Sequence, residues 1–116
     1  MNARKFIRSF SFAWQGIGVA VKEQNMKFHL LSAVIVVIAG LLTGLSSIEW
    51  CILIGVIATV ISIEMVNTAI EYVVDMASPD MHPLAKAAKD VAAAAVLVFA
   101  LASVIIGVLI FIPKWF

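Results

Sequence analysis

Charge is scarce in this sequence. Eight lysines and arginines and seven aspartates and glutamates are all that 116 residues carry, and charged residues make up 13%. Soluble domains are nearer a quarter charged, so a water-soluble globule is excluded. The only cysteine, Cys51, lies in an apolar run, which rules out an intramolecular disulfide and a multi-cysteine metal site. Prolines number three, Pro79, Pro83 and Pro113, so most of the chain holds nothing that stops a helix. No P-loop and no kinase-type HRD or DFG triplet is present, and Gly16-Ile17-Gly18 is too weak to stand as a nucleotide loop; the common soluble nucleotide-binding folds are excluded. A net charge of +1 is no electrostatic footprint for nucleic acid, and none is expected as a partner. The basic N-terminus is not followed by a clear apolar segment with a small-residue cleavage site, so no cleavable signal peptide is expected.

What the chain has is apolar surface: 64% of its residues are hydrophobic, and the mean hydropathy is +1.12. The expectation is one small all-α integral membrane domain over residues 1–116, and a chain this short needs oligomerisation to bury many polar groups. Residues 4–24 read as an amphipathic helix lying in the membrane interface, with Arg4, Lys5 and Arg8 beside Phe6, Ile7, Phe10, Phe12, Trp14 and Ile17. Residues 22–29 form a polar collar in which Lys27 and His29 reach the headgroups. Three spans follow, at about 30–45, 50–74 and 86–112, the first short for a hydrocarbon core of roughly 30 Å. Ser46–Glu49 is a tight turn between the first two. Residues 77–83 are a loop, since Pro79 and Pro83 forbid a continuous helix there. Gly40 and Gly44 form a GxxxG, and Ala92–Ala95 a thin helix wall; both suit close helix packing or an apolar groove for a lipid chain.

The second span carries what a membrane helix should lack. Glu64, Asn67, Thr68 and Glu71 share one face, because a step of seven residues rotates a helix by only about 20° from two full turns. A charge at membrane depth costs roughly 2.5–3.5 kcal/mol on insertion scales, so such groups face a bundle interior or a cleft. Five of the eight positive charges precede the first span, two lie in 75–90, one follows the last span, and none lies in the 46–49 turn. The positive-inside rule therefore puts the N-terminal helix and the 75–90 segment in the cytoplasm. Glu23, Glu64, Asn67, Glu71, Asp80, His82, Lys89 and Asp90 then lie near one interface.

Carboxylates at such a depth suit Mg²⁺, which takes few protein ligands and completes its shell with water and substrate phosphates. Lys89 suits a phosphate, and a deeper carboxylate suits the deprotonation of a lipid hydroxyl. The same residues also allow ion translocation or plain helix packing. Lys86 and Asp90 read most simply as an i,i+4 pair.

The run Glu64-Met-Val-Asn67-Thr-Ala69-Ile-Glu71-Tyr-Val-Val-Asp75, followed by Ala85-Lys-Ala-Ala-Lys89-Asp90, resembles the bacterial diacylglycerol kinase family. Ser9-Phe10, Ala13, Gly16-Ile17 and Glu23-Gln-Asn25-Met26-Lys27-Phe-His29 resemble its Gram-positive branch, which phosphorylates undecaprenol. The resemblance implies a homotrimer of three-span subunits with a surface helix each, using ATP and Mg²⁺ on a lipid alcohol in the bacterial plasma membrane. It implies Glu64 as catalytic base and Asn67 as the amide beside the substrate. Mg²⁺ falls to Glu23 and Glu71, which also meet the nucleotide. Further ATP contacts fall on Asp80, Met81, His82, Lys89 and Asp90, and at the N-terminus on Arg4 and Phe12. Undecaprenol is the expected acceptor, with diacylglycerol as the alternative lipid and a non-enzymatic membrane assembly or ion conductor as the alternative class.

Overall fold

A computed structural model describes residues 2–80 and 82–116. It is all helical: α1 spans Ala3–Ala20, α2 Gln24–Thr43, α3 Ser47–Ala77 and α4 Pro83–Trp115. Among the described residues, α2, α3 and α4 are each long and apolar enough to cross a membrane. At about 1.5 Å per residue, α2 matches a hydrocarbon core of roughly 30 Å, while α3 and α4 exceed it and project beyond. The main pairing is α3 on α4, with α2 against α3 and, less closely, α4.

Local chemistry sets each helix end. The Asn2 side chain accepts from the Arg4 amide and starts α1. Gly44, at φ +80°, ends α2 in a conformation that costs a residue with a Cβ. Ser46 and Glu49 form a capping box at the start of α3: the Glu49 amide donates to Ser46 Oγ at 3.2 Å, and the Ser46 amide to Glu49 Oε1 at 3.0 Å. Pro83 opens α4 at a position where its missing N–H is no loss, and His82 Nδ1 accepts from the Leu84 amide.

Several boundaries differ from the sequence reading. The surface helix ends at Ala20 rather than 24, and α3 takes in Ser47–Glu49, expected as part of a turn, and runs to Ala77 rather than 74, because the Ser46 cap starts the helix there and nothing interrupts it before Pro79. The first span begins inside the polar collar, at Gln24, because Gln24, Asn25 and Lys27 contain nothing that interrupts a helix; the break falls instead at Val21–Glu23. The third span begins at Pro83 rather than 86. It also runs through Pro113 to Trp115 instead of stopping at Ile112. A proline in a last turn forfeits one hydrogen bond, and the two residues after it are tied down: Lys114 Nζ meets Glu49 Oε1 at 3.0 Å, and Trp115 Nε1 donates to Thr43 Oγ1 at 2.9 Å.

These contacts close one end of the bundle, and the apolar core lies just inside them. Leu53, Ile110 and Phe111 are buried there, flanked by Val36, Ala39, Leu45, Trp50, Ile57 and Ile106. Gly40 and Gly44 do not act as a pair. Gly44 is the α2 cap, and Gly40 makes room for the Trp50 indole: a Cβ on Gly40 would sit 2.8 Å from the ring. Most other large apolar side chains of the spans, Leu41, Leu42, Leu97 and Val104 among them, face outward. Gly40→Leu should therefore lower stability by about 1–3 kcal/mol through overpacking. Gly55→Leu, where a Cβ meets open space, should change it by less than about 0.5 kcal/mol. Thermal unfolding in detergent followed by circular dichroism distinguishes the two.

Candidate functional site

The opposite end of the bundle, where α2 begins, α3 ends and α4 begins, holds the polar face of α3. Glu64 is 3% exposed, and Asn67 and Thr68 are each 4% exposed. Burial of three polar side chains in one helix demands partners, since an unpaired polar group in apolar surroundings costs several kcal/mol. Thr68 finds its partner locally, donating Oγ1 to the Glu64 carbonyl at 3.1 Å. Asn67 donates Nδ2 to Glu71 Oε1 at 3.2 Å, which fixes the amide and leaves its oxygen, Oδ1, buried without a protein partner. Glu64 finds its partner on α2: His29 Nε2 lies 3.5 Å from Glu64 Oε2, with the His29 side chain 13% exposed. That separation is within ion-pair range and longer than a good hydrogen bond.

A second tie joins α2 to α3. Glu23 stands at the N-cap of α2 yet makes no side-chain bond to that helix. Its carboxylate instead accepts from the Tyr72 hydroxyl at 2.6 Å. This brings Glu23 beside the α3 acids, and Glu64 lies within coulombic reach of both Glu23 and Glu71. The third helix joins through Lys89, which forms an ion pair with Asp75 of α3. Lys86 and Asp90 pair with each other at 2.6 Å on the exposed side of α4, as their spacing implied.

Glu23, Glu64, Asn67 and Glu71 thus come together from two helices, with Lys89 on the third. Asp80 lies in the connecting loop, where its carbonyl accepts from Ser78 Oγ at 3.0 Å and from the His82 amide at 2.9 Å. His82 caps α4. Met81 lies outside the described residues. Arg4 and Phe12 are exposed on α1, and among the described residues neither side chain makes an ion pair or hydrogen bond to the carboxylates.

Two partners escaped the sequence reading. His29 was a headgroup residue with no obvious ligand, and Tyr72 was only a motif spacer. The available signal was depth: antiparallel α2 and α3 put position 29 and position 64 at the same level, so the one imidazole in the collar is the natural partner for the deepest carboxylate.

Among the described residues no group of three or more His, Cys, Asp or Glu side chains converges as a metal cluster. Glu23 and Glu71 are half-buried hard oxygen donors, and Asn67 Oδ1 is a buried one without a protein partner. That set suits Mg²⁺, which keeps several waters and substrate phosphates in its shell, and does not suit zinc.

The sequence matches the prokaryotic diacylglycerol kinase family over residues 11–111. It is 50% identical to an undecaprenol kinase of Bacillus subtilis (strain 168) over 111 residues, covering 95% of this chain and 90% of that protein. A diacylglycerol kinase of Synechocystis sp. is 39% identical over 113 residues, covering 96% of this chain and 65% of that protein. A diacylglycerol kinase of Escherichia coli (strain K12) is 28% identical over 102 residues, covering 87% of this chain and 84% of that protein. The matched segment contains the whole polar face of α3 together with Glu23, His29 and Lys89, and with that face at its centre the chain belongs to the prokaryotic diacylglycerol kinase family and is a lipid kinase.

Proposed function

We propose that this lipid kinase transfers the γ-phosphoryl group of ATP to the hydroxyl of undecaprenol, and more slowly to diacylglycerol, at the cytoplasmic face of a bacterial plasma membrane. The observation that carries the reading is Glu64, a carboxylate buried at bilayer depth and held by one imidazole. It is placed to meet a lipid hydroxyl and shielded from bulk water. In the reaction Glu64 accepts the hydroxyl proton as the lipid oxygen attacks the γ-phosphorus, the bond to the bridging oxygen of ATP breaks, and ADP leaves. His29 holds the carboxylate in place for that attack. Asn67 orients Glu71 by its amide N–H, and Lys89 neutralises phosphate charge once ATP draws it from Asp75.

Glu23, Glu71 and Asn67 Oδ1 would hold Mg²⁺, which when bound neutralises the phosphates of ATP. Asp80, Met81, His82 and Asp90 flank the nucleotide from the loop and the start of α4. Arg4 and Phe12 reach it from α1, which lies flat on the membrane with its exposed aromatic residues in the interface. The outward apolar faces of α2–α4 pack in a homotrimer, and active sites lie between subunits. The positive charges of α1, the collar and the 75–90 segment support the cytoplasmic placement.

Undecaprenol is preferred over diacylglycerol because the collar Asn25-Met26-Lys27-Phe28-His29 resembles that of the Gram-positive branch, and because the Bacillus subtilis relative bears that substrate in its name. The names of the Synechocystis and Escherichia coli relatives favour the second acceptor.

Glu64→Gln should lower kcat by about 10²–10⁴-fold, the usual contribution of a general base, while MgATP binding persists. Glu23→Gln and Glu71→Gln should instead raise the apparent KM for Mg²⁺ and ATP. Steady-state kinetics with labelled ATP, with a fluorescent nucleotide to read binding, makes the division; loss of assembly in all three variants would make the acids structural. Undecaprenol and diacylglycerol measured side by side in one detergent should give undecaprenol the higher kcat/KM. Apolar discrimination of about 1–3 kcal/mol should leave diacylglycerol turnover measurable. A higher value for diacylglycerol would reverse the acceptor and leave the kinase standing.

A further inference from the structure

Two forces turn the Glu23 carboxylate away from α3. Glu64 and Glu71 lie near it on that helix, and like charges repel. Glu23 also stands at the N-cap of α2, where free amides and the positive end of the helix attract a carboxylate. The structure shows the opposite arrangement. No side-chain bond caps α2, and Glu23 Oε1 accepts from the Tyr72 hydroxyl of α3 at 2.6 Å. That is the length of a charge-assisted bond, roughly twice as strong as a neutral one. Tyr72 follows Thr68 by four residues, so it stands one turn further along the flank of the polar face. Its ring is 48% exposed and carries little of the packing. The elbow at Val21–Glu23 is otherwise tied to α1 by backbone bonds to Ile17, Val19 and Ala20. Among the described residues, the Tyr72–Glu23 bond is the one side-chain hydrogen bond or ion pair that joins residues 2–23 to the spans.

We propose that Tyr72 is a positioning residue for the metal: its hydroxyl keeps the Glu23 carboxylate on α3, beside the acids of the polar face, and leaves Oε2 for Mg²⁺. The inference rests on the reading above in which Glu23 and Glu71 hold that ion. Tyr72 acts through Glu23 and takes no proton in the reaction. A phenol suits the task better than a lysine or an arginine. A cation would also draw Glu23 across, but it would compete with Mg²⁺ for the same carboxylate. The phenol is a neutral donor that engages one oxygen and leaves the negative charge of the acid in place for the metal. Without the hydroxyl, Glu23 is released to the amides of α2 and the charge beside Glu71 is lost. Because the ring is half exposed, that release costs the fold little.

The test is a cycle of Tyr72→Phe, Glu23→Ala and the double variant in the full-length protein. Tyr72 is the only tyrosine of the chain, so the ¹³C resonance of a labelled tyrosine Cζ reports this one hydroxyl. In metal-free protein that resonance should move between wild type and Glu23→Ala. Metal binding is read by electron paramagnetic resonance of Mn²⁺ with a non-hydrolysable ATP analogue, and turnover by steady-state kinetics. Tyr72→Phe should weaken Mn²⁺ binding and raise the apparent KM for Mg²⁺ by about three- to tenfold, the scale of one net hydrogen bond. The kcat at saturating Mg²⁺, the KM for undecaprenol and the melting temperature should stay at wild-type values. In the Glu23→Ala background the same change should add nothing. Unchanged metal affinity in Tyr72→Phe, an equal loss with and without Glu23, or an unmoved Cζ resonance in Glu23→Ala would overturn the assignment. A loss accompanied by a lowered melting temperature would overturn it too, making Tyr72 a packing residue. If Glu23→Ala by itself keeps wild-type Mn²⁺ and Mg²⁺ affinity, the metal reading of Glu23 has failed, which that arm alone reveals.

Discussion

A carboxylate inside a bundle of apolar helices has few ways to persist, and the contact between Glu64 and His29 is the one on which the rest of this structure depends. The Glu64 side chain is buried, and its own helix offers it no donor: Thr68 uses its hydroxyl on the backbone, and Asn67 spends its amide N–H on Glu71. A partner had to come from a neighbouring helix, and the only one the described structure supplies is His29 of α2. That pairing sets the level of α2 against α3. It also makes one imidazole the neighbour of both the buried carboxylate and an apolar cleft between α2, α3 and α4.

The two ends of the bundle differ in what holds them. At the end away from the site, Lys114, Glu49, Trp115, Thr43 and the Ser46 capping box link all three spans, and Leu53, Ile110 and Phe111 pack just inside. At the site end the links are between polar side chains: Glu23 with Tyr72, His29 with Glu64, Lys89 with Asp75. The closed end carries the apolar packing, and the site end is held by polar contacts alone.

Much of this was legible in the sequence. The scarcity of charge fixed the membrane class, Pro79 and Pro83 marked the break before α4, and the seven-residue step from Glu64 to Glu71 put the polar residues on one face. What periodicity could not supply were contacts between helices. His29–Glu64 and Tyr72–Glu23 join positions 35 and 49 residues apart, and neither pair has a local signature. The glycines misled for the same reason: GxxxG describes spacing on one helix, whereas the role of Gly40 depends on Trp50 arriving from another, and that of Gly44 on a turn. The passage of α4 through Pro113 was hidden because the tethers that extend it, Glu49 and Thr43, belong to other helices.

The central claim, that His29 positions Glu64 for proton removal from a lipid alcohol, is tested most directly by steady-state kinetics of His29→Gln and His29→Leu with undecaprenol and MgATP. Gln keeps a donor near the carboxylate and should retain most of kcat. Leu removes the donor and should lower kcat by about 10- to 100-fold, the scale of loss expected when a reacting group is misplaced, with the KM for MgATP unchanged. Wild-type kcat in His29→Leu, or equal loss in both variants with a raised KM for MgATP, would contradict it.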